Sequence, residues 1–229
     1  PHLRKSSPIH SVDPLMGCPT IAREGWTRIV GLLAVAAAIH YLAGFWWASP
    51  AWLVALLAVQ FFRDPERQIP QQDQAVVAPA HGRVVAIEQA YDPYLERDAI
   101  KISIFMNIFS VHSNRAPVEG VVRRRWHQPG QFFNASLDKA SEKNERNAIW
   151  INTKDGHDVV SVQIAGLVAR RILCYVTEGQ PISRGQRYGF IRFGSRLDVY
   201  LPLKSRIEAR LGHWVDSGSD IIGYLPAVV

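Results

Sequence analysis

The run from Ile29 to Phe62 is the strongest constraint on the fold, because its 34 residues include no Asp, Glu, Lys or Arg. About 20 apolar residues are needed to cross the roughly 30 Å of hydrocarbon in a bilayer. The stretch 29–48 has that length, whereas 51–62, after a break expected at Ser49-Pro50, is shorter and should re-enter or lie at the interface. The run therefore predicts a membrane-associated helical hairpin.

The residues around this run favour a hairpin with both ends on the cytoplasmic side. Tryptophan prefers the headgroup level of a bilayer, and basic residues are retained on the cytoplasmic side. The tryptophans lie near the expected break and the arginines flank the run: Trp46, Trp47, Trp52, Arg23, Arg28, Arg63 and Arg67. We therefore expect a membrane protein with its remaining domain in the cytoplasm. A cleaved signal peptide is disfavoured, since the run is too long and lacks a small-residue cleavage site. A hairpin buried in a soluble protein is the other alternative.

The rest of the chain divides into a leader and a β-rich domain. Residues 1–28 are mixed in composition and lack periodicity, so a flexible leader is expected. From Gln74 onward, short Val- and Ile-rich runs alternate with Gly and Pro, as in strands joined by turns. The sequence thus predicts an α+β, mainly β protein. Residues 63–229 should form an antiparallel, barrel-sandwich-like catalytic domain behind the hydrophobic helical hairpin of residues 29–62.

Two internal echoes support this architecture. Ala78-Pro79-x-x-Gly82 recurs as Ala116-Pro117-x-x-Gly120, and Ile182-x-x-Gly185 is echoed by Val215-x-x-Gly218. Proline is tolerated only where the sheet needs no donor, and glycine permits unusual backbone angles, so each pair predicts two equivalent hairpin-like elements. Lipoyl and biotinyl carriers have such an arrangement. The repeats have no Lys at a hairpin tip, which disfavours a carrier function.

Charge and cysteine content restrict the partners. The formal net charge of +6 and the pI near 9.6 favour an anionic partner. Charge alone does not separate nucleic acid, a phosphorylated substrate and an acidic lipid surface, but the apolar run favours an anionic membrane surface over nucleic acid. Cys18 and Cys174 are far apart, which gives no disulfide framework, and the histidines lack the spacing of metal ligands. No metal site is expected.

The segment 102–120 holds the first candidate for chemistry. An apolar strand is followed by a polar corner with His112, Asn114 and Arg115. A histidine and an arginine in such a corner could provide a base beside an anion site. A single loop histidine is more often structural, so this pattern alone does not establish a function.

The Gly194-Ser195 step is the second candidate, because it interrupts an otherwise continuous pair of strands. Such a step is usually a turn or a bulge. Its functional interpretation is more specific. Gly194 has no side chain, so its carbonyl is open to attack by the Ser195 hydroxyl. An N-to-O acyl shift, β-elimination and imine hydrolysis would then leave a pyruvoyl group at position 195.

Five separated segments, covering the chain from about residue 60 to its end, resemble the short bacterial form of phosphatidylserine decarboxylase: FFRDPER, FMNIFSVHSNRAP, PGQFFNASLDKASEKNERN, VSVQIAGLVARRI and GSRLDVYLP. The resemblance implies self-cleavage into a β chain of 1–194 and an α chain of 195–229 that stay associated. It also implies a covalent pyruvoyl group derived from Ser195. That group would form a Schiff base with phosphatidylserine and yield phosphatidylethanolamine without a soluble cofactor.

The resemblance also suggests roles for other residues. His112 is the candidate proton donor to the decarboxylated carbon, and Asn114 and Arg115 are candidates to hold the substrate's phosphate or carboxylate. The family usually carries Asp in the A-P-A-x-G loop, where this chain has His81. Either His81 accepts the Ser195 proton in its place, or the change slows or blocks maturation. Larger members carry a second histidine at the place of Arg115, so the division of roles between the two steps stays open.

Alternative functions make different demands on the same residues. An archaetidylserine decarboxylase would use the same chemistry on an ether lipid. A non-catalytic, membrane-tethered adaptor would explain the repeats but leave Gly194-Ser195 without a role. A serine hydrolase using Ser195 and His112 is disfavoured by the lack of a G-x-S-x-G elbow. A homodimer is compatible with general frequencies of assembly, and nothing in the sequence tests it.

Overall fold

The computed structural model describes residues 20–131, 143–166, 172–192 and 194–227. The described part opens with one turn of 3-10 helix, Arg23–Gly25, followed by the helices α1 (Trp26–Ala43) and α2 (Phe45–Phe61). The two helices pack against each other as a hairpin. Among the described residues, one helix, Arg23–Ala43, has the 21 apolar-rich residues needed to cross a membrane, and Phe45–Phe61 is shorter.

The break expected at Ser49-Pro50 is wrong, because the chain reverses at Gly44 instead. Gly44 has φ +84°, a left-handed conformation that glycine adopts without a steric penalty. Helix α2 continues through Pro50. Proline cannot donate to the carbonyl one turn earlier, but the Trp46 carbonyl accepts a hydrogen bond from the Ser49 hydroxyl at 2.9 Å. This bond offsets part of the cost of proline inside a helix.

The remaining elements are strands, as the sequence predicts. An eight-stranded sheet has the order β13-β2-β3-β11-β7-β6-β5-β9, and two three-stranded sheets have the orders β1-β14-β12 and β4-β10-β8. All the pairings between these strands are antiparallel. The strands are β1 Ala75–Val77, β2 Gly82–Asp92, β3 Arg97–Met106, β4 Ser113–Arg115, β5 Gly120–Gln128, β6 Arg146–Asn152, β7 Asp158–Ile164, β8 Ile172–Cys174, β9 Pro181–Ile182, β10 Arg187–Ile191, β11 Ser195–Leu201, β12 Arg206–Ile207, β13 Trp214–Val215 and β14 Ile221–Tyr224.

Three apolar clusters of buried residues hold the described elements together. The main core lies inside the curled sheet and includes alternate residues of its central strands, among them Ile102 and Ile104 of β3 and Leu197 of β11. A second cluster packs the base of the hairpin on the β domain through Phe62 and Phe190, whose rings stack 6.0 Å apart. Truncating either phenylalanine to alanine is expected to cost about 3–5 kcal/mol.

The Ala-Pro echo forms a symmetric pair of contacts, as predicted. The Val77 N–H donates to the Pro117 carbonyl, and the Arg115 N–H donates to the Pro79 carbonyl, both at 2.9 Å. Each donor residue thus lies two positions before one of the two prolines, and its N–H donates to the carbonyl of the other proline. Proline supplies an acceptor without needing a partner for an N–H group, which suits it to this position.

The glycines that complete the echo are also equivalent. Gly82 begins β2 and pairs with Val215, while Gly120 begins β5 and pairs with Ile182. A side chain at either glycine would overlap a carbonyl of the facing strand, 2.2 Å from the Phe105 oxygen in the case of Gly82. The two repeats are therefore the same element used twice in one β domain.

Three strand ends meet at the sheet edge that carries the candidate residues. Strand β2 begins at Gly82, which follows His81, and strand β3 ends at Met106 beside it. Strand β11 begins at Ser195, whose partner in the ladder is Met106. The polar corner with His112 follows β3 after a short turn. Residues distant in sequence are thereby gathered at one edge.

Candidate active site

The Gly194-Ser195 step lies at the start of β11, as the sequence predicts for a strand that is interrupted there. Ser195 is fully buried, and its hydroxyl has no hydrogen-bond partner among the described residues. Burying an unpaired hydroxyl costs about 1–3 kcal/mol, so it calls for an explanation. Gly194 has φ +73°, a conformation that strains other residues. Position 195 is a serine, so this is the geometry of the precursor.

Gly166 packs directly against this step, and sequence analysis missed it. A Cβ on Gly166 would lie 1.5 Å from the Gly194 carbonyl oxygen. Only glycine leaves room for that oxygen. The signal was available in the segment VSVQIAGLVARRI, but a glycine at the end of a strand normally indicates no more than a turn.

His112 is fully buried on the polar corner after β3. Its main-chain carbonyl accepts a hydrogen bond from Ile191 at 3.2 Å, which fixes the corner to strand β10. Burial, helped by the nearby Arg63 and His81, lowers the pKa of the imidazole to about 3, although hydrogen bonds with nearby backbone oppose this shift. The ring is therefore neutral at physiological pH, and its low pKa makes it a weak proton acceptor unless its surroundings change.

His81 is held in place by two neighbours. Its Nδ1 accepts a hydrogen bond from the Val111 N–H at 2.8 Å, and its Nε2 lies 3.4 Å from a carboxylate oxygen of Asp216. Burial lowers the pKa of His81, although Asp216 opposes this effect. No hydrogen bond joins His81 to Ser195 within the described part of the chain, so direct proton transfer between them stays a prediction.

Asn114 belongs to a buried chain of amides that leads toward Ser195. Its side-chain oxygen accepts a hydrogen bond from Gln163 at 2.8 Å, and Gln163 in turn accepts one from Asn147 at 2.8 Å. The Asn114 amide nitrogen lies 3.9 Å from the sulfur of Met106, the ladder partner of Ser195. These contacts orient Asn114, and the predicted contact with substrate is not tested by them.

Arg115 forms a buried ion pair that sequence analysis missed. Its guanidinium lies 3.1 Å from Asp64 and donates to the Gly185 carbonyl at 3.2 Å. Asp64 also lies 3.4 Å from Arg187, which binds Glu24 of the N-terminal segment at 2.8 Å. Asp64 is part of the segment FFRDPER, but its partner is 51 residues away in the sequence. Much of the Arg115 guanidinium is thus engaged inside the protein.

Known proteins are similar to this chain over most of its length. The family model for phosphatidylserine decarboxylase matches residues 54–223. A phosphatidylserine decarboxylase proenzyme of Aromatoleum aromaticum is 60% identical over 208 residues, which are 91% of this chain and 97% of that protein. The chain belongs to the phosphatidylserine decarboxylase family. Proenzymes of Nitrosomonas europaea and Burkholderia pseudomallei are 58% and 59% identical, over 85% and 91% of this chain and 90% and 96% of their own lengths.

In this member of the phosphatidylserine decarboxylase family, exposed apolar side chains lie near the polar corner that holds His112. Ile108 and Phe109, at the tip of the turn after β3, are 55% and 58% exposed. Arg63, just after α2, donates to the Phe109 carbonyl at 2.7 Å. Trp214 is half exposed, and its ring lies 5.7 Å from that of His81. Exposed apolar side chains therefore lie around the candidate site, which is close to the point where the hairpin joins the β domain.

Proposed function

We propose that the chain is a self-processing, membrane-associated phosphatidylserine decarboxylase in which Ser195 becomes a pyruvoyl group. The observation that carries this proposal is the position of the buried Ser195 hydroxyl, directly after a glycine with φ +73° whose carbonyl lies against Gly166. Other buried serines, among them Ser103, also have a hydroxyl without a hydrogen-bond partner among the described residues, so that feature alone does not single out Ser195. The close relatives are proenzymes, which agrees with a bond that the chain itself must break.

Self-cleavage at this step needs only the atoms of residues 194 and 195, a base and water. Ser195 Oγ gives its proton to the base and attacks the Gly194 carbonyl carbon; the C–N bond then breaks, which leaves an ester and a free amine. Loss of the Ser195 α proton expels Gly194 as a carboxylate and leaves dehydroalanine at position 195, whose Cβ takes up a proton as the enamine becomes an imine. Water hydrolyses the resulting imine and releases ammonia. The fragment 195–229 stays in place because β11 lies between β3 and β7 in the sheet.

The same residues then act on the substrate. A pyruvoyl group supplies an acceptor for the electron pair that is released when the serine headgroup loses carbon dioxide. His112 would return a proton to that carbon, which requires its pKa to rise from about 3 in the precursor. The substrate's phosphodiester would raise it, since a nearby negative charge favours the imidazolium. Asn114 and Arg115, on the adjoining strand β4, would hold the phosphate or the carboxylate.

We assign His81 to the self-cleavage step. Burial lowers the pKa of His81 and of His112, which keeps both rings in the neutral form that a base requires. His81 is tied to Val111, the residue before His112. Nδ1 is the acceptor of that bond, so neutral His81 carries its proton on Nε2 and can accept the Ser195 proton only if the bond to Val111 breaks. With the bond intact, His81 acts by holding His112 in place, and these two roles predict different results for substitutions.

The membrane is the expected source of the substrate, because a two-chain lipid stays in the bilayer. We propose that α1 and α2 insert into the inner membrane from the cytoplasmic side. The exposed residues Ile108 and Phe109 would then touch the lipid surface, since Arg63 at the end of the hairpin is bonded to their turn. The site would open beside the headgroups. A homodimer stays a prediction.

Intact mass spectrometry and a decarboxylation assay test this function on the purified full-length chain. The wild type should give a fragment of about 4 kDa with a blocked N-terminus, from 35 residues at roughly 110 Da each. Ser195→Ala should stay whole and inactive. Ser103→Ala, which removes another buried hydroxyl on β3, is the matched control and should be cleaved normally. A wild-type chain that stays whole yet releases carbon dioxide would contradict the proposal.

A further inference from the structure

Gly166 lies two residues after β7 and faces the peptide bond that would be cleaved. An ideal Cβ at position 166 would lie 1.5 Å from the Gly194 oxygen, 2.5 Å from the Gly194 carbonyl carbon and 3.3 Å from the Ser195 nitrogen. All three atoms belong to the same peptide group. Strand pairing explains the approach, because β7 and β11 are neighbours and Ile164 is paired with Arg196.

The two glycines at this contact are needed for different reasons. A Cβ on Gly194 would meet nothing within 4 Å, so its requirement comes from its φ of +73°. A Cβ on Gly166 would overlap the carbonyl oxygen of Gly194, so its requirement is steric. Any side chain at position 166 would therefore force the Gly194 carbonyl to turn or the two strands to separate. When a protein holds two reacting groups in place, a shift of about 1 Å in their relative position greatly lowers the rate of the reaction.

We propose that Gly166 is a positioning residue for self-cleavage. Its bare Cα surface lets the Gly194 carbonyl lie in one orientation, with the carbonyl carbon accessible to Ser195 Oγ. The inference rests on the proposed function, because it assigns a role in the attack by Ser195. It is confined to maturation: once Gly194 has become a free carboxylate, it is no longer tied to Ser195, and Gly166 has nothing left to orient.

The competing explanation is that glycine at 166 is needed only for packing. Gly120 offers a matched control for this. A Cβ on Gly120 would lie 2.3 Å from the oxygen and 2.8 Å from the carbon of the Asn152 carbonyl, which is also a backbone overlap between neighbouring strands. Gly120 lies at the start of β5, away from the Gly194-Ser195 step. Gly120→Ala should therefore destabilise the fold without touching the cleaved bond.

The experiment follows cleavage with time in the full-length wild type, Gly166→Ala and Gly120→Ala, each made in a cell-free system with detergent or vesicles. Intact mass gives the half-time of cleavage, and thermal unfolding gives the loss of stability. We expect the half-time of Gly166→Ala to increase at least tenfold. That of Gly120→Ala should stay within about twofold of the wild type at a comparable loss of thermal stability.

Hydroxylamine separates the steps of the reaction, because it splits an ester but not a peptide bond under mild conditions. If Gly166 positions the carbonyl for attack, the uncleaved Gly166→Ala chain should resist hydroxylamine. Release of a 1–194 hydroxamate would mean that the acyl shift had already taken place, and it would overturn the inference. Slowing of both variants in proportion to their loss of stability would overturn it too, as would wild-type cleavage in Gly166→Ala.

A second measurement needs no substitution at 166 and remains decisive if Gly166→Ala does not fold. In the uncleavable Ser195→Ala chain, the Hα protons of Gly166 should show a nuclear Overhauser effect to the amide proton of residue 195. Absence of this signal would overturn the inference. The proposed function fails separately, through a wild-type chain that is never cleaved, whereas rapid cleavage of both wild type and Gly166→Ala contradicts only the role of Gly166.

Discussion

The imidazole of His112 packs against the ring of Phe61, with 4.3 Å between the ring centroids. Phe61 is the last residue of α2, so the base of the apolar hairpin forms one wall of the site. The ring of Phe190, 6.3 Å from His112, adds a second wall. These aromatic contacts help to exclude water, and burial is the largest cause of the lowered pKa of His112. The apolar hairpin and the candidate site are therefore in direct contact.

Opening this wall should change the pH dependence of self-cleavage. Phe61→Ala admits water to His112, and the pKa of His112 should rise from about 3 toward its ordinary value of 6.5. If His112, held in place by His81, is the group that accepts the Ser195 proton, the base would then be lost as the pH falls below 6.5. We expect cleavage of the variant to slow several-fold between pH 7.5 and 5.5, while the wild type changes little.

Phe62→Ala is the control for this change, because Phe62 is also buried in the cluster at the hairpin base. Both variants should lose stability, but only Phe61→Ala should gain the pH dependence. Rates from intact mass at four or five pH values measure the effect. Identical profiles for the two variants would show that Phe61 does not set the protonation of His112.

The buried neutral form of His112 also predicts how stability depends on pH. The unfolded chain binds a proton at His112 below about pH 6.5, whereas the folded chain resists it down to about pH 3. With respect to His112, the free energy of unfolding is therefore highest above about pH 6.5, and it decreases as the pH falls from about 6.5 to about 3. The slope from this group is at most about 1.4 kcal/mol per pH unit.

Urea unfolding of the uncleavable Ser195→Ala chain at pH 5 and pH 7.5 measures this effect. The free energy of unfolding should be lower at pH 5. Adding His112→Gln removes the titrating group, so the difference between the two pH values should shrink in the double variant. An unchanged difference would assign the pH dependence to other groups.

Substitutions at His81 separate proton transfer from positioning. Asp and Asn can both accept the hydrogen bond from the Val111 N–H, but only Asp can also accept a proton. If His81 accepts the Ser195 proton, we expect complete cleavage with His81→Asp and cleavage slowed at least tenfold with His81→Asn and His81→Ala. Cleavage of His81→Asn at the wild-type rate would leave His81 with the Val111 contact as its only role.

Much of the fold and part of the site could be predicted because the requirements are local. Proline without a donor and glycine without a side chain mark the two equivalent elements at Pro79 and Pro117, and the hydrogen bonds between them confirm that prediction. The Gly194-Ser195 step was found for the same reason, since its chemistry needs particular residue types side by side. The polar corner with His112 was also a candidate from the residues alone, and the resemblance to a family added the predicted role of His112 as a proton donor.

The missed features depend on contacts across the fold. The Asp64–Arg115 ion pair joins residues 51 positions apart, and nothing in the sequence near Arg115 indicates that its charge is already engaged. The proposed role of Gly166 depends on its having no side chain, and a single glycine at the end of a strand forms no recognisable sequence pattern. The wrong break at Pro50 arose because proline is a strong helix breaker in general, while the Ser49 hydroxyl bonds the carbonyl that proline leaves free.

Substitution of Arg115 tests whether its guanidinium contacts the substrate in addition to pairing with Asp64. Lysine keeps the charge but loses the planar fork that grips a phosphate or a carboxylate. If Arg115 contacts substrate, Arg115→Lys should be cleaved normally and should raise the KM for phosphatidylserine at least tenfold. Asp64→Asn, which breaks the ion pair from the other side, should lower stability by about 3–5 kcal/mol without a comparable change in KM. Equal KM effects in both variants would reduce Arg115 to a structural residue.

The turn beside the hairpin should matter for lipid in a bilayer and not for lipid in solution. Ile108 and Phe109 are more than half exposed, and their turn is bonded to Arg63 at the end of α2. The double substitution Ile108→Ser/Phe109→Ser should therefore lower kcat/KM several-fold on vesicles and leave it within about twofold on a short-chain, soluble phosphatidylserine. Fully burying such side chains stabilises by about 1.5–3 kcal/mol each, so even partial insertion would be measurable.

Tyr91 provides the control, because it is 60% exposed near the far end of β2. Tyr91→Ser removes a comparable apolar group from the opposite end of β2 and should leave both activities unchanged. Equal loss on vesicles and on soluble lipid would place Ile108 and Phe109 in the site itself. No loss on either would mean that the hairpin alone brings the domain to the membrane, since the turn would then add nothing to lipid contact.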